Sequence, residues 1–196
     1  MGEVALHRRD VVSELLAGRG ELLVVSGLGS PTWDVAAAGD HPLNFYLWGA
    51  MGGAVMVGLG LALAQSSRPL LVVTGDGELL MDLGALATVA AARPANLSIV
   101  VLDNERYGET GMQPSHTAAG VDLAGMAAAA GFASSRLIED RGGVAAFRHL
   151  VHQGSGPNFA QIKVAAEALP LVLPPRDGAL LKDRFRLALL GDEGTS

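Results

Sequence analysis

The feature that most constrains the fold is a pair of short apolar runs separated by a helix-length interval. Residues 69–74 and 97–102 are rich in Val, Leu and Ile, a composition typical of buried β-strands. Between them, residues 79–92 place apolar side chains at helical spacing, and the pattern stops at Arg93-Pro94. Two buried strands joined by a helix predict a β-α-β unit, in which the two strands are parallel.

The remaining segments extend this unit into alternating strands and helices. Further strands are predicted at residues 21–26, 134–138 and 158–164, with a short strand or extended segment at 44–48. Helices are predicted at residues 6–16, 33–38, 54–65, 122–130, 140–153 and 178–190. This alternation predicts a doubly wound α/β fold, with a mainly parallel sheet of about six strands and helices on both faces. We expect one ligand-binding domain over residues 1–170, followed by a linker and a terminal helix over residues 171–196.

Composition excludes several classes of function. The net charge of −6 disfavours nucleic-acid binding, and the absence of cysteine rules out disulfides and fits a cytoplasmic protein. No signal peptide is visible, and the longest apolar run, residues 54–64, is shorter than the roughly 20 residues that span a bilayer. We therefore expect a soluble protein that binds neither nucleic acid nor membrane.

Polar residues stand just beyond the two central strands. Asp76 and Asn104 lie at the carboxyl ends of neighbouring predicted strands, where open α/β sheets bind their ligands. Gly75 and Gly77 allow the backbone to approach an anion closely, and a helix start points N–H groups at it. Carboxylate and amide oxygens are ligands that Mg²⁺ takes alongside phosphate oxygens. An ordinary turn with an exposed aspartate is the alternative, but the paired spacing favours a metal-bridged phosphate site.

These residues resemble a known pattern. Gly75-Asp76-Gly77 followed by Asp103-Asn104 is similar to the signature of thiamine diphosphate-dependent enzymes, although Asp103 replaces the first asparagine of the pair in that family. The resemblance implies that thiamine diphosphate and Mg²⁺ are the cofactors and that residues 1–170 form the diphosphate-binding domain. It implies three metal ligands, the last through its backbone carbonyl: Asp76, Asn104 and Arg106.

Two upstream segments extend the resemblance. Residues 49–52 are similar to the segment whose bulky residue, here Met51, supports the bent cofactor, and residues 27–30 resemble the first diphosphate loop. Glu78 departs from the small residue that is common at its position, so its carboxylate must turn away from the diphosphate or be paired. The cofactor-binding positions implied by the resemblance are Gly29, Ser30, Gly49, Met51, Gly75, Asp76, Gly77, Glu78, Asn104, Arg106, Tyr107, Gly108 and Glu109.

A long segment without periodicity follows Asn104. Residues 105–117 contain Gly, Pro and polar side chains, and loops of this length in compact domains often serve as lids or binding loops. Thr110, Gln113 and His116 could reach a substrate, and His116 is the candidate catalytic residue. The alternative interpretation is that His116 is a solvated loop histidine without a catalytic role.

The resemblance also indicates what the chain lacks. Thiamine diphosphate-dependent enzymes require a glutamate on a pyrimidine-binding domain, and the chain contains only the diphosphate-binding domain. We therefore expect a separate partner subunit, a hetero-oligomer, and no activity of this chain alone. Residues 44–52 and 107–113 narrow the resemblance to the sulfopyruvate and phosphonopyruvate decarboxylases. This implies decarboxylation of a three-carbon 2-oxo acid with an anionic group at carbon 3.

Other functions remain open at this stage. A carboligase subunit of the acetolactate synthase type would share every cofactor motif, and a non-catalytic interaction module would share the fold. A nucleotide-binding Rossmann protein is disfavoured, since the turn at Gly27 and Gly29 lacks a third glycine at the expected spacing.

Overall fold

The computed structural model describes residues 5–153 and 155–191. Its strands are β1 (Leu23–Ser26), β2 (Asn44–Tyr46), β3 (Leu70–Gly75), β4 (Leu97–Asp103), β5 (Arg106–Tyr107), β6 (Gln113–Pro114), β7 (Ser134–Ile138) and β8 (Asn158–Lys163). Its α-helices are α1 (Arg8–Leu16), α2 (Ser30–Ala37), α3 (Ala54–Ala64), α4 (Asp76–Leu79), α5 (Gly84–Ala92), α6 (Leu123–Ala130), α7 (Arg141–Gln153) and α8 (Gly178–Leu190).

A single six-stranded sheet with the order β2-β1-β3-β4-β8-β7 organises the described part of the chain. Every neighbouring pair in it is parallel. The strand order reverses between β1 and β3, as expected of a doubly wound sheet, and because all six strands are parallel their carboxyl ends lie at one edge. The fold class predicted from sequence is confirmed.

Two layers of helices cover the sheet. Alternate residues of β3 point to opposite faces, so Leu70 and Val72 join the core under α3, α5 and α6, whereas Leu71 and Val73 join the core under α1, α2 and α7. Both faces of the central strands are therefore buried, which explains why these strands are continuous apolar runs rather than alternating ones.

Two segments differ from the sequence-based prediction. The helix expected over residues 79–92 begins at Asp76, directly after β3, and is interrupted by a 3₁₀ turn at Leu80–Asp82 before α5. Residues 105–117 are not irregular, because β5 pairs with β6 in an antiparallel hairpin. The chain reverses there through the left-handed conformations of Gly111 (φ 114°) and Met112 (φ 64°).

The C-terminal helix packs on the edge strand of the sheet. The Phe185 ring of α8 meets Phe45 of β2 at 5.5 Å, and Trp48 Nε1 donates a hydrogen bond to the Pro175 carbonyl at 3.0 Å. The predicted boundary at residue 170 remains a prediction. None of the helices in the described ranges is long and apolar enough to cross a membrane.

Candidate active site

Two buried aspartates lie side by side at the open edge of the sheet. β3 ends at Gly75, which pairs in register with Leu102 of β4, so Asp76 and Asp103 follow at the same level. Asn104 comes next, and its Oδ1 accepts a hydrogen bond from the Arg106 backbone N–H at 3.0 Å. The structure therefore brings Asp76 and Asn104 to neighbouring strand ends.

The environment of Asp76 leaves its negative charge without a protein cation. The residue is 2% exposed, and its Oδ2 accepts hydrogen bonds from the hydroxyls of Ser115 and, at 3.3 Å, Thr117. Burial raises the pKa of Asp76, the hydroxyl groups oppose this, and the nearby charge of Asp103 adds to it. No ion pair in the described part of the chain involves Asp76. A buried carboxylate without a counter-ion is suited to receive a metal ion.

Asp103, by contrast, has a complete set of protein partners. Its Oδ2 accepts hydrogen bonds from Gln161 at 2.6 Å and from the Lys163 ammonium at 2.9 Å. Its Oδ1 accepts from the Thr117 hydroxyl at 2.7 Å and from the Glu105 backbone N–H at 3.0 Å. The carboxylate at the end of β4 is therefore a structural group that shapes the turn leading to Asn104.

Ser115 and Thr117 are the site residues that sequence reasoning missed. Both hydroxyls are buried, although they flank the exposed His116, and they reach Asp76 across the sheet edge. No local pattern marks them, because Ser115 is extended whereas Thr117 lies in a 3₁₀ turn over His116–Ala119. Through the two hydroxyls, the hairpin over residues 105–117 fixes the rotamer of the proposed metal ligand.

An open cavity lies at this edge. Most of the residues implicated from sequence line it, namely Ser30, Met51, Gly75, Asp76, Gly77, Glu78, Asn104, Arg106, Tyr107, Gly108 and Glu109. Gly29, Gly49 and His116 are not among its lining residues. Gly29 is nevertheless close, since a Cβ there would come within 2.5 Å of the Glu109 carboxylate. Residues that sequence reasoning did not place here include Arg8, Pro31, Leu102 and Val164.

The Glu78 carboxylate accepts a hydrogen bond and lies against Gly27 of the first loop. Its Oε2 accepts a hydrogen bond from the Thr74 hydroxyl at 2.7 Å, and a Cβ at Gly27 would lie 1.7 Å from that oxygen. Burial raises the pKa of Glu78, while the hydrogen bond from Thr74 and the nearby backbone N–H groups of Leu28 and Gly52 act in the opposite direction. The side chain is bonded to the end of β3, its Oε1 has no hydrogen-bond partner among the described residues, and Gly27 leaves room for the carboxylate.

The aromatic ring of Tyr107 packs against the turn that carries Asp76. A Cβ at Gly77 would come within 2.6 Å of that ring, so the close approach requires glycine. The Tyr107 hydroxyl and Nδ1 of His116 are 3.0 Å apart, and the two rings meet edge to face. His116 is thus held beside the cavity wall by a cavity-lining tyrosine.

The donor set fits a metal ion that arrives with phosphate. No group of three His, Cys, Asp or Glu side chains within residues 5–153 and 155–191 could hold a metal by itself. Asp76 and Asn104 supply only two side-chain oxygens, and Mg²⁺ takes six ligands that commonly include phosphate oxygens and water. Gly75 and Gly77 leave the edge open to a large anion. The site therefore suits a magnesium-bound diphosphate better than a free cation.

Comparison with known families assigns the chain to a class. Residues 28–162 match the family of thiamine pyrophosphate enzymes, C-terminal TPP binding domain. Because the match covers most of the chain, the protein belongs to this family, and thiamine diphosphate is its cofactor. The family assignment made from Gly75-Asp76-Gly77 and Asp103-Asn104 is confirmed.

Similar proteins narrow the class. The chain is 38% identical to the sulfopyruvate decarboxylase subunit beta of Methanothermobacter thermautotrophicus over 92% of its own length and 94% of that protein. It is 48% identical to the phosphonopyruvate decarboxylase of Streptomyces hygroscopicus over 56% of its length but only 27% of that protein. The predicted class, a thiamine diphosphate-dependent carboxy-lyase subunit, is confirmed by these relatives.

A solved structure agrees at the level of fold. The benzoylformate decarboxylase of Polynucleobacter necessarius superimposes with a TM-score of 0.73 at 20% identity, covering 85% of this chain and 34% of that one. At this identity the likeness supports the α/β fold alone.

Proposed function

We propose that this chain is the diphosphate-binding subunit of a two-component thiamine diphosphate-dependent 2-oxo acid decarboxylase, inactive without a partner that carries the activating glutamate. The observation that carries the proposal is Asp76, a buried carboxylate without a protein cation, beside Asn104 at the open sheet edge. The likeness to a beta subunit over nearly the whole of both chains supports it.

The described residues divide the work of holding the cofactor. Asp76 and Asn104 through their side chains and Arg106 through its backbone carbonyl would hold Mg²⁺, which neutralises the buried charge. Ser30 and the glycines around Asp76 would receive the diphosphate, with Glu78 fixing the first loop from below. Thiamine diphosphate, when bound, supplies a nucleophilic carbon and an electron sink for the carbonyl substrate.

Met51 would support the thiazolium end of the cofactor. It lines the cavity yet is 41% exposed, and it follows Ala50, whose left-handed backbone (φ 56°) turns the segment outward. A bulky, partly exposed thioether that lines an open cavity is poorly placed for core packing. Its position is instead suited to contact the thiazolium ring of a cofactor bound between this chain and the proposed partner subunit.

The surface of α3 supports a partner subunit. Met56, Val57 and Leu63 are exposed on this helix, which is apolar all round, and a helix of that kind is normally buried. The chain matches most of a beta subunit but about a quarter of a phosphonopyruvate decarboxylase. We propose that the part of that decarboxylase outside the match corresponds to a pyrimidine-binding domain. For this protein we propose that such a domain lies on a separate chain, in a cytoplasmic hetero-oligomer.

We propose a three-carbon 2-oxo acid with an anionic group at carbon 3 as the substrate class. The names of the relatives support it, since both act on pyruvates that carry an acidic substituent. Tyr107 and Thr110 line the cavity on the hairpin side. His116, positioned by Tyr107, is our candidate for contact with the reacting groups.

Native mass spectrometry of the protein purified gently from its source tests the assembly. A second chain of similar size, together with thiamine diphosphate and Mg²⁺, is expected. A homo-oligomer that retains cofactor and has activity would overturn the partner requirement.

The purified complex is then screened with 2-oxo acids for release of carbon dioxide and aldehyde. The Asp76→Ala variant of the same complex is the control that should lose both activity and cofactor. Acyloin products would favour a carboligase, and cofactor binding without turnover of any 2-oxo acid would favour an interaction module.

A further inference from the structure

Arg8 is a buried cation that lines the same cavity as the proposed metal ligands. It is the first residue of α1 and is only 5% exposed. Its side chain contributes to the wall that also includes Asp76 and Asn104. Arginine is rarely buried without a reason, because removing its charge from water is costly unless the charge is paired.

The protein partners of Arg8 leave part of its guanidinium unmatched. Nη1 donates to Asp34 Oδ2 at 3.3 Å, but Nε is buried and has no hydrogen-bond partner in the described part of the chain. Asp34 is fully buried and is shared with a second guanidinium, since Arg9 Nε donates to its Oδ1 at 3.2 Å. Glu167, the other carboxylate near Asp34, is bonded to His7 at 3.0 Å. One buried carboxylate is therefore the acceptor for two arginine side chains.

The contact with Asp34 sets where the guanidinium of Arg8 lies. Asp34 and Ser30 are four residues apart in α2, so they lie on the same face of that helix. Ser30 starts the helix after the first loop and lines the cavity together with Arg8. Arg8 is thereby tethered to the helix that follows the first loop, in the cavity wall that it shares with Ser30.

We propose that Arg8 binds the terminal phosphate of the cofactor's diphosphate and that Asp34 orients it for this role. The guanidinium is planar and donates in pairs, a geometry that matches phosphate oxygens. With Arg8 on one side and a metal ion at Asp76 on the other, the diphosphate would lie between two positive charges. This inference rests on the proposed use of Asp76 and the first loop for the diphosphate.

Calorimetric titration of the full chain, with any partner chain that copurifies, tests the proposal. The probes are thiamine diphosphate and thiamine monophosphate, each with Mg²⁺, and the variants are Arg8→Gln and the matched control Arg9→Gln. Arg9 shares Asp34 with Arg8 but is not among the residues that line the cavity. Arg8→Gln should weaken the diphosphate by about 10- to 100-fold and the monophosphate by less than about threefold.

The affinities of the variants distinguish direct binding of the diphosphate by Arg8 from an indirect loss caused by a less stable fold. Arg9→Gln should leave both affinities within about twofold, and Arg8→Lys should restore part of the diphosphate affinity because it keeps the charge. Equal losses for both ligands, or equal losses in Arg8→Gln and Arg9→Gln, would overturn the proposal. So would an unchanged diphosphate affinity accompanied by a raised KM for anionic 2-oxo acids, since Arg8 would then serve the substrate. A wild-type chain that fails to bind thiamine diphosphate would instead refute the proposed function.

Discussion

Two aspartates lie at the same level at the ends of β3 and β4. They are equally buried, but their hydrogen-bond and ion-pair partners differ. Asp103 accepts from an ammonium, an amide, a hydroxyl and a backbone N–H, whereas Asp76 accepts from two hydroxyls and, among the described residues, from no cation. Burial is common to both residues, so burial does not distinguish a structural acid from a ligand. For these two residues, the presence or absence of a protein cation makes that distinction, because a low-dielectric site rarely tolerates an unbalanced charge.

The largest effect on stability is expected from Asp103→Ala. The substitution removes the acceptor that Lys163, Gln161 and Thr117 share. Breaking a buried ion pair from one side costs about 3 to 5 kcal/mol, and we expect the lower end of that range because the Lys163 ammonium is partly exposed and keeps Glu105. Urea unfolding followed by circular dichroism measures the loss. The double variant with Lys163→Met should recover part of it, because the partly buried ammonium, which has lost one of its two carboxylate partners, is then removed. A loss below about 1 kcal/mol would show that Asp103 is not the structural member of the pair.

Asp76→Asn should separate binding from stability. The amide keeps an acceptor for Ser115 and Thr117 and removes a buried charge, so the free energy of unfolding without cofactor should stay within about 1 kcal/mol of wild type or rise. Affinity for thiamine diphosphate in the presence of Mg²⁺ should fall by at least about 100-fold, corresponding to about 2.7 kcal/mol. Intrinsic tryptophan fluorescence can follow the titration. If instead the free energy of unfolding falls sharply and the affinity persists, Asp76 is a structural acid rather than a metal ligand.

Asp34 extends the comparison to a third buried aspartate, one with two guanidinium partners. Burial still outweighs Arg8 and Arg9 and raises the pKa of Asp34 from 3.8 to about 6. The folded protein therefore binds this proton more tightly than the unfolded chain, so the free energy of unfolding should increase as the pH falls from about 6 towards 4. The contribution is about 2 kcal/mol. Unfolding curves for wild type and Asp34→Asn across this range give the difference in slope, and parallel slopes would contradict the assignment.

The smallest effect is expected from Tyr107→Phe. This variant removes the hydroxyl that meets His116 but keeps the ring that packs on Gly77, and His116 is exposed to solvent. Stability should change by less than about 0.5 kcal/mol, since water replaces an exposed hydrogen bond. If His116 takes part in the reaction, turnover of the complex should fall while cofactor affinity does not. Unchanged turnover would leave His116 as a surface residue.

The fold was predictable because the apolar runs are unambiguous. Leu70–Gly75 and Leu97–Asp103 have almost no polar residues, and a strand buried on both faces requires helices on both sides of the sheet. The hairpin over residues 105–117 was not predictable, since it depends on a left-handed methionine at position 112 that propensity disfavours. The early start of α4 at Asp76 depends on the extended backbone of Gly75, which the periodicity of residues 79–92 does not report.

The candidate site was predictable only where residues are close in sequence or belong to a recognised pattern. Asp76 and Asn104 follow directly from strand ends. Ser115, Thr117 and Arg8 reach the site through tertiary contacts with partners 26 to 41 residues away, and no local pattern encodes such contacts. For Glu78, sequence reasoning required a turned or paired carboxylate, and the structure supplies the partner, Thr74.

The exposed face of α3 has a consequence for how such a chain is produced. Met56, Val57 and Leu63 form an apolar strip that another copy of the same chain could cover as readily as a proper partner. Copies synthesised in excess would then be lost to aggregation and degradation rather than persist as idle subunits. For the proposed two-chain enzyme, the packing of one helix would thus become a constraint on gene expression, because the two chains would have to be made in matched amounts.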